Sequence, residues 1–357
     1  MDKSVKGEMM MKKKILSMII ILPITLSLVC VNNTKVQAGT IIISDSDGGD
    51  IADTYETNDF SKNMNITNKF TDENFKNAVY DLIGKDKSSE ILYSDVRDIK
   101  SLRVNNSFIK SLDGIEYFTS LTSLYCGGNG LTTLDISHNK SLMELDCYDN
   151  QLVSLEVSKN RLLTKLACGS NQLISLDVSK NTRLKSLSCE KNMITDLDVT
   201  RNIWLSDLNC SRNKLMKINL SNNTRLNVFL GYDNNLTSLD VSKNKLLTNI
   251  ACGGNKIESI DLNNNKMLTN LTCQSNGLKT LDLSENILLT ELYCYENNLK
   301  TLDLSKNVNL QMFDCGYNEI KTLYSNNNTW PSSWYETQYG DENHTSTIKD
   351  LRITIKN

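Results

Sequence analysis

The sequence predicts a curved solenoid. Short parallel strands stack into one sheet on the concave face, turns and short strands line the convex side, and a helical cap closes the N-terminal end. Three periodic columns predict it. Leucines recur at 121, 142, 163, 184, 205, 226, 247, 268, 289 and 310, each step 21 residues. Asparagines recur at two points of nearly every step, and a cysteine at one. An uninterrupted period of this length marks a stack of coils, in which no unit buries its apolar face alone.

Each unit reads L-x-x-L-x-C-x-x-N-x-L-x-x-L-D-(V/L/I)-S-x-N-x-x. Its opening, LTSLYC at residues 121–126, has the length and character of a short parallel strand. Stacked strands lie about 4.8 Å apart, so leucines of successive coils meet inside. The first asparagine column is Asn129, Asn150, Asn171, Asn192, Asn213, Asn234, Asn255, Asn276, Asn297 and Asn318. Each stands where the chain leaves the strand. A tight bend frees backbone N–H and C=O groups, and an amide side chain offers both a donor and an acceptor. The second column, Asn139, Asn160, Asn181, Asn202, Asn223, Asn244, Asn265, Asn286 and Asn307, is predicted to do the same at the second bend.

The cysteine column comprises Cys126, Cys147, Cys168, Cys189, Cys210, Cys252, Cys273, Cys294 and Cys315, with Gly231 breaking it. In-register parallel strands keep neighbouring Cβ atoms near 4.8 Å apart, beyond the roughly 3.5–4.5 Å of a disulfide. A straight column cannot converge four ligands on a zinc ion. Nucleophilic catalysis needs a base, and the chain has only His138 and His344, neither an obvious neighbour of a cysteine. The cysteines are therefore predicted to be small buried apolar residues standing for the third leucine of the motif. A row of acids, Asp135, Glu156, Asp177, Asp198, Asp240, Asp261, Asp282 and Asp303, points outward and is read as a solvated stripe, interrupted by Asn219. No catalytic residue, metal site or cofactor is expected.

The pattern resembles bacterial leucine-rich repeat proteins of the internalin-like kind, with a nested 21-residue period. The resemblance covers residues 70–323, and SLDGIEYFTSLTSL at 111–124 is similar to the first repeat after the cap of that family. It implies recognition of another protein, on a host or bacterial surface. It also implies a cap containing a calcium-type loop. Here that loop is GKDKSSEILYSD, residues 84–95. Asp86 and Asp95 fit the pattern and Ile91 keeps the apolar slot, whereas Gly84 and Ser89 replace an acidic ligand and the turn glycine. The loop is expected to keep its shape without metal.

The remaining organisation follows from composition. Residues 1–38 read as a signal peptide: Lys12, Lys13 and Lys14 precede an apolar run, and VQA offers a cleavage point before Gly39. Residues 39–69 read as a polar linker and 70–99 as the helical cap, with Thr71 as N-cap and Phe75, Val79 and Leu82 as its apolar stripe. An atypical first repeat, 100–120, precedes the array of ten units at 121–323, the last partial, and a C-terminal cap at 324–357. In that cap Trp330 and Trp334 would cover the last coil, and Leu351, Ile353 and Ile355 alternate like a strand. Beyond residue 38 the chain carries 33 basic and 40 acidic residues, a balance that argues against nucleic acid and against anionic membrane. The product is expected to be secreted or surface-associated, with no membrane insertion after cleavage.

Specificity is expected from outward strand positions that vary between coils. Candidate binding residues are Tyr125, Glu144, Tyr148, Lys165 and Asp207, and toward the other end Tyr293, Tyr295, Asp314 and Tyr317. Tyrosines on a rigid sheet suit a protein partner, or a glycan or cell-wall sugar as the alternative.

Overall fold

The computed structural model describes residues 62–325, together with the backbone of strands at 40–44, 50–54 and 354–356. The signal peptide, Trp330, Trp334, Leu351, Ile353 and His344 lie outside the described residues. The stretch read as a linker contains β1 (Thr40–Ser44) and β2 (Asp50–Thr54), paired antiparallel as a hairpin, a local unit by itself.

From residue 62 onward the cap takes shape earlier than the linker reading allowed. Ile66 is fully buried, and its N–H donates to the Ile91 carbonyl at 2.8 Å. Helix α1 (Glu73–Ile83) is capped by Asp72 rather than Thr71. Asp72 Oδ1 accepts from Phe75 N at 3.0 Å, while its Oδ2 accepts from Lys110 N at 2.7 Å. One carboxylate thus starts the helix and ties it to the first coil, and backbone donors hold its pKa below the usual value. Thr71 instead donates its hydroxyl to Asp113 Oδ2 at 2.7 Å. Phe75 and Val79 are buried, but Leu82 on the predicted stripe is 46% exposed; the covered face continues instead through buried Tyr80 and part-buried Ile83. Phe70, Phe75 and Phe118 close the first coil with ring centroids 5.4–6.4 Å apart. Phe70 packs on Gly114, where φ is 102° and an added Cβ would stand 2.6 Å from the ring. A second short helix, α2 (Tyr93–Val96), ends the cap.

Eleven strands then form one parallel sheet. They are β3 (Ser101–Arg103), β4 (Ser123–Tyr125), β5 (Glu144–Asp146), β6 (Lys165–Ala167), β7 (Ser186–Ser188), β8 (Asp207–Asn209), β9 (Val228–Leu230), β10 (Asn249–Ala251), β11 (Asn270–Thr272), β12 (Glu291–Tyr293) and, after one interruption, β14 (Met312–Asp314). Pairing is in register, Leu145 with Leu166 and Leu166 with Leu187. The first step differs: Leu102 pairs with Leu124, 22 residues on. The convex side consists of turns until β13 (Thr301–Asp303), β15 (Thr322–Tyr324) and β16 (Thr354–Lys356), which form a second parallel sheet. The structure is thus a leucine-rich repeat solenoid with an N-terminal helical cap.

The two bends are satisfied differently. At the first bend Asn171 Nδ2 donates to the carbonyls of Cys147, Cys168 and Gly169, and its Oδ1 accepts from Leu152 N. Each such amide joins its own coil to the preceding one. The residue just before it is left-handed, with φ from 50° to 56° at Asp149, Ser170, Lys191, Arg212, Asp233, Ser275, Glu296 and Tyr317. At the second bend the expectation of an identical role is corrected. Asn181 Nδ2 donates to Val157 O and Asn160 O, but its Oδ1 has no partner, and the same holds for the other eight amides of that column. Two backbone N–H groups of the second bend are already taken by carbonyls of the same coil. Asn181 N already donates to Val178 O, and Leu184 N to Asn181 O.

The outward acids have a specific task as well. Asp177 Oδ1 accepts from Ser179 N at 2.8 Å, and Glu156, Asp198, Asp240 and Asp282 make the equivalent bond two residues on. Asn219, the apparent interruption, makes it too, with Ser221 N at 3.0 Å. The D-x-S signature is an Asx turn that bends the convex strip.

Candidate functional site

The sheet presents two outward positions per strand, flanking the buried central leucine. The candidate residues fall on it as two separate groups.

The first group spans β3 to β6. The Arg103 guanidinium lies 3.8 Å from the Tyr125 ring centroid. Tyr125 Oη donates to Glu144 Oε2 at 2.6 Å, and Lys165 Nζ reaches Glu144 Oε1 at 3.2 Å. Cation, ring, carboxylate and ammonium therefore run across four adjacent coils. The bond to Glu144 raises the Tyr125 pKa, and that same bond together with Lys165 lowers the Glu144 pKa. Tyr148 follows Cys147 on the next position of its coil, with its N–H held by Asp146 Oδ1 at 3.1 Å.

The second group lies on the last two coils of the sheet. Tyr293 is in β12 and donates its hydroxyl to Met312 Sδ at 3.8 Å. Tyr295 follows Cys294 in that coil. Asp314 ends β14 and binds Gly316 N at 2.9 Å, and Tyr317 stands left-handed and 48% exposed. At about 4.8 Å per strand the two groups are roughly 40 Å apart and cannot form one small pocket. Asp207, on β8, belongs to neither and accepts from Ser206 Oγ at 2.6 Å.

Between the groups lies a patch that sequence reasoning did not nominate. Val228, Leu230 and Ala251 make the middle of the face apolar. Beside them Arg212 sits 5.6 Å from the Tyr232 ring and pairs with Asp233 at 3.3 Å. Tyr232 was legible as the column-mate of Tyr148 and Tyr295, one position past the cysteines. Arg103 was missed because the first step is 22 residues, outside the strict period.

The nine described cysteines are buried and free. Burial pushes every one of these thiols up, those of Cys147, Cys210, Cys252 and Cys315 to about 12. His138 is exposed on the second bend, its Nδ1 3.2 Å from Ser137 Oγ. Among the described residues no group of His, Cys, Asp or Glu is placed to hold a metal ion, and no helix is long and apolar enough to cross a membrane.

No family model matches the chain. It is similar to internalin J of Listeria monocytogenes serotype 4b (strain F2365), 37% identical over 70 residues, which are 20% of this chain and 8% of that protein. Among solved structures it is similar to the functional domain of InlJ from Listeria monocytogenes, which includes a cysteine ladder. That match has a TM-score of 0.64 and 34% identity, and covers 74% of this chain and 64% of that one. It is also similar to YopM, a leucine-rich effector protein from Yersinia pestis, with a TM-score of 0.55, 25% identity, and coverage of 70% of this chain and 71% of that one. The chain thus spans less than two thirds of the internalin J domain and a small fraction of the curated relative. The period, the cysteine column and the solenoid agree with these likenesses: the chain is a leucine-rich repeat solenoid with a 21-residue period, similar to the repeat domain of internalin J.

Proposed function

We propose that this chain is exported and binds another protein through the concave sheet. The observation that carries the reading is the contrast between columns. Inward positions and both bends repeat from coil to coil, while outward strand positions change from Arg103, Tyr125, Glu144 and Lys165 through Val228 and Leu230 to Tyr293 and Asp314. Folding does not require that variety, and rigid aromatic or apolar anchors within a charged rim are what a protein partner meets. The likeness to internalins supports a host or bacterial surface protein as the partner, and the basic, apolar, small-residue order of residues 1–38 supports export.

The glycan reading rests on one cluster, Tyr293, Tyr295 and Tyr317 on neighbouring coils, whose rings could stack on sugar. Pull-down from host-surface and bacterial-surface extracts, run beside a glycan array, separates the two. Capture that survives both Tyr293→Ala/Tyr317→Ala and Leu230→Asp/Tyr232→Ala removes the concave face from consideration. N-terminal sequencing of the exported product should begin at Gly39.

A further inference from the structure

The cap loop shows where a positive charge enters the fold. Helix α1 ends at Ile83 and α2 begins at Tyr93. Residues 84–95 between and into them match the 12-residue length of a calcium loop, whose ligands come from positions 1, 3, 5, 7, 9 and 12. Position 7 supplies a backbone carbonyl, here Glu90 O, and position 12 a carboxylate, here Asp95. Both are engaged by one donor. Lys85 Nζ stands 2.5 Å from Asp95 Oδ2 and 3.1 Å from Glu90 O.

The remaining groups are arranged around that contact. Asp86, at position 3, turns its Oδ1 onto Ser88 N at 3.0 Å and Ser88 Oγ at 2.9 Å, within the loop. Asp95 Oδ2 also accepts from Leu92 N at 2.7 Å, so the carboxylate held by the ammonium is the one that starts α2. Tyr80 Oη donates to Ser89 O at 2.7 Å and fastens the loop to α1. Lys85 and Asp95 are partly buried, which distinguishes them from a freely solvated pair.

We propose that the Lys85 ammonium is the resident cation of this loop: a tethered charge that joins position 7 to position 12, as a divalent ion would, and makes closure of the cap independent of calcium. One positive charge suits a loop whose position 1 is Gly84 and whose position 3 carboxylate, Asp86, is turned onto Ser88, which leaves Asp95 as the one carboxylate at the contact and gives a divalent ion fewer anionic ligands than a full calcium loop offers. The corollary is that removing the ammonium uncovers a weak divalent site built from Asp86, Glu90 O and Asp95.

The test is thermal melting of the full chain in about 10 mM calcium chloride or in excess EDTA. The wild type should melt at the same temperature in both. Lys85→Met should melt lower in EDTA, and calcium should raise it by about 2–4 °C. Lys85→Met/Asp95→Asn should lose that response, and Lys85→Arg should behave as wild type. Tyrosine-sensitised terbium luminescence, read through Tyr80 and Tyr93, should appear in Lys85→Met and be weak in the wild type. A calcium-dependent wild type overturns the assignment. So does calcium that fails to stabilise or fold Lys85→Met.

Discussion

The Cβ that Gly231 lacks would stand 2.5 Å from Cζ of Phe229. Both residues belong to the sixth coil, Phe229 at the centre of β9 and Gly231 just past its end. Phe229 replaces the central leucine of its neighbours and is fully buried. Its ring takes the volume that a cysteine side chain fills in the other coils, so the break in the cysteine column is a large-for-small exchange. The amide of Asn234 is indifferent to it, donating to the carbonyls of Cys210 and Gly231.

Restoring the cysteine without removing the ring should therefore fail. Gly231→Cys is expected to cost about 1–3 kcal/mol through overpacking. Adding Phe229→Leu should recover most of that, with a coupling of about 1–2 kcal/mol between the sites. Urea midpoints of the two single variants and the double variant measure it. Additive losses would show that the two positions do not share one space.

The asparagine columns should separate energetically. Asn171→Ala strands the N–H of Leu152 and takes a donor from three carbonyls, a loss of about 2–4 kcal/mol. Asn202→Ala removes two donated bonds together with an oxygen that had no partner. Its acceptors, Val178 O and Asn181 O, each keep a backbone donor. The expected cost is about 1–2 kcal/mol. Equal losses in denaturant titrations would contradict this division of labour.

Alkali should weaken the array steeply. Burial raises the thiol pKa values above their unfolded value of 9.0, four of them to about 12. A raised pKa contributes stability that is complete below the unfolded value and disappears as pH climbs toward the folded one. Each thiol should therefore cost about 1.4 kcal/mol per pH unit above 9. Urea midpoints at pH 8, 9 and 10 should fall accordingly, and less steeply in Cys147→Ala/Cys168→Ala. A bulky thiol reagent should leave the native protein unmodified at pH 8, and rapid native labelling would refute the burial of the column.

At the acid end the Asx turns are exposed enough that their contribution should be read by substitution. The backbone N–H and hydroxyl of Ser179 depress the pKa of Asp177, and the hydroxyl and backbone N–H of Thr200 depress that of Asp198, so the charged form is favoured above about 3.8 and its contribution fades as pH falls through the lowered values. Asp177→Asn should be nearly neutral, since Asn219 already makes this bond. Asp177→Ala should cost about 0.5–1.5 kcal/mol at pH 7 and less at pH 2.5. A costly Asp177→Asn would mean the charge, not the acceptor, holds the turn.

Much of this was open to reading because the repeat averages its own signal. Leu145, Cys147 and Asn150 recur with their partners a fixed step away, so each residue's environment can be inferred from its copies. The candidate site was less legible. Tyr125 and Glu144 are 19 residues apart in the chain yet share a 2.6 Å bond, because the in-register step of 21 places them on adjacent strands. The same rule placed Tyr293 and Asp314 near each other but left Arg103 and the central patch unnoticed.

By itself the sequence determined the stack: its period, its inward leucines and thiols, and the asparagines at both bends. These depend on what each coil must bury, and that requirement is identical from coil to coil. Only the tertiary structure decided that the second amide column leaves its oxygens unpaired, that Asp72 rather than Thr71 starts the cap helix, that Phe229 displaces a cysteine, and that Lys85 lies on Asp95. Each depends on which donor, acceptor or volume a neighbouring segment has already taken, and that competition is settled when the coils and the cap pack together.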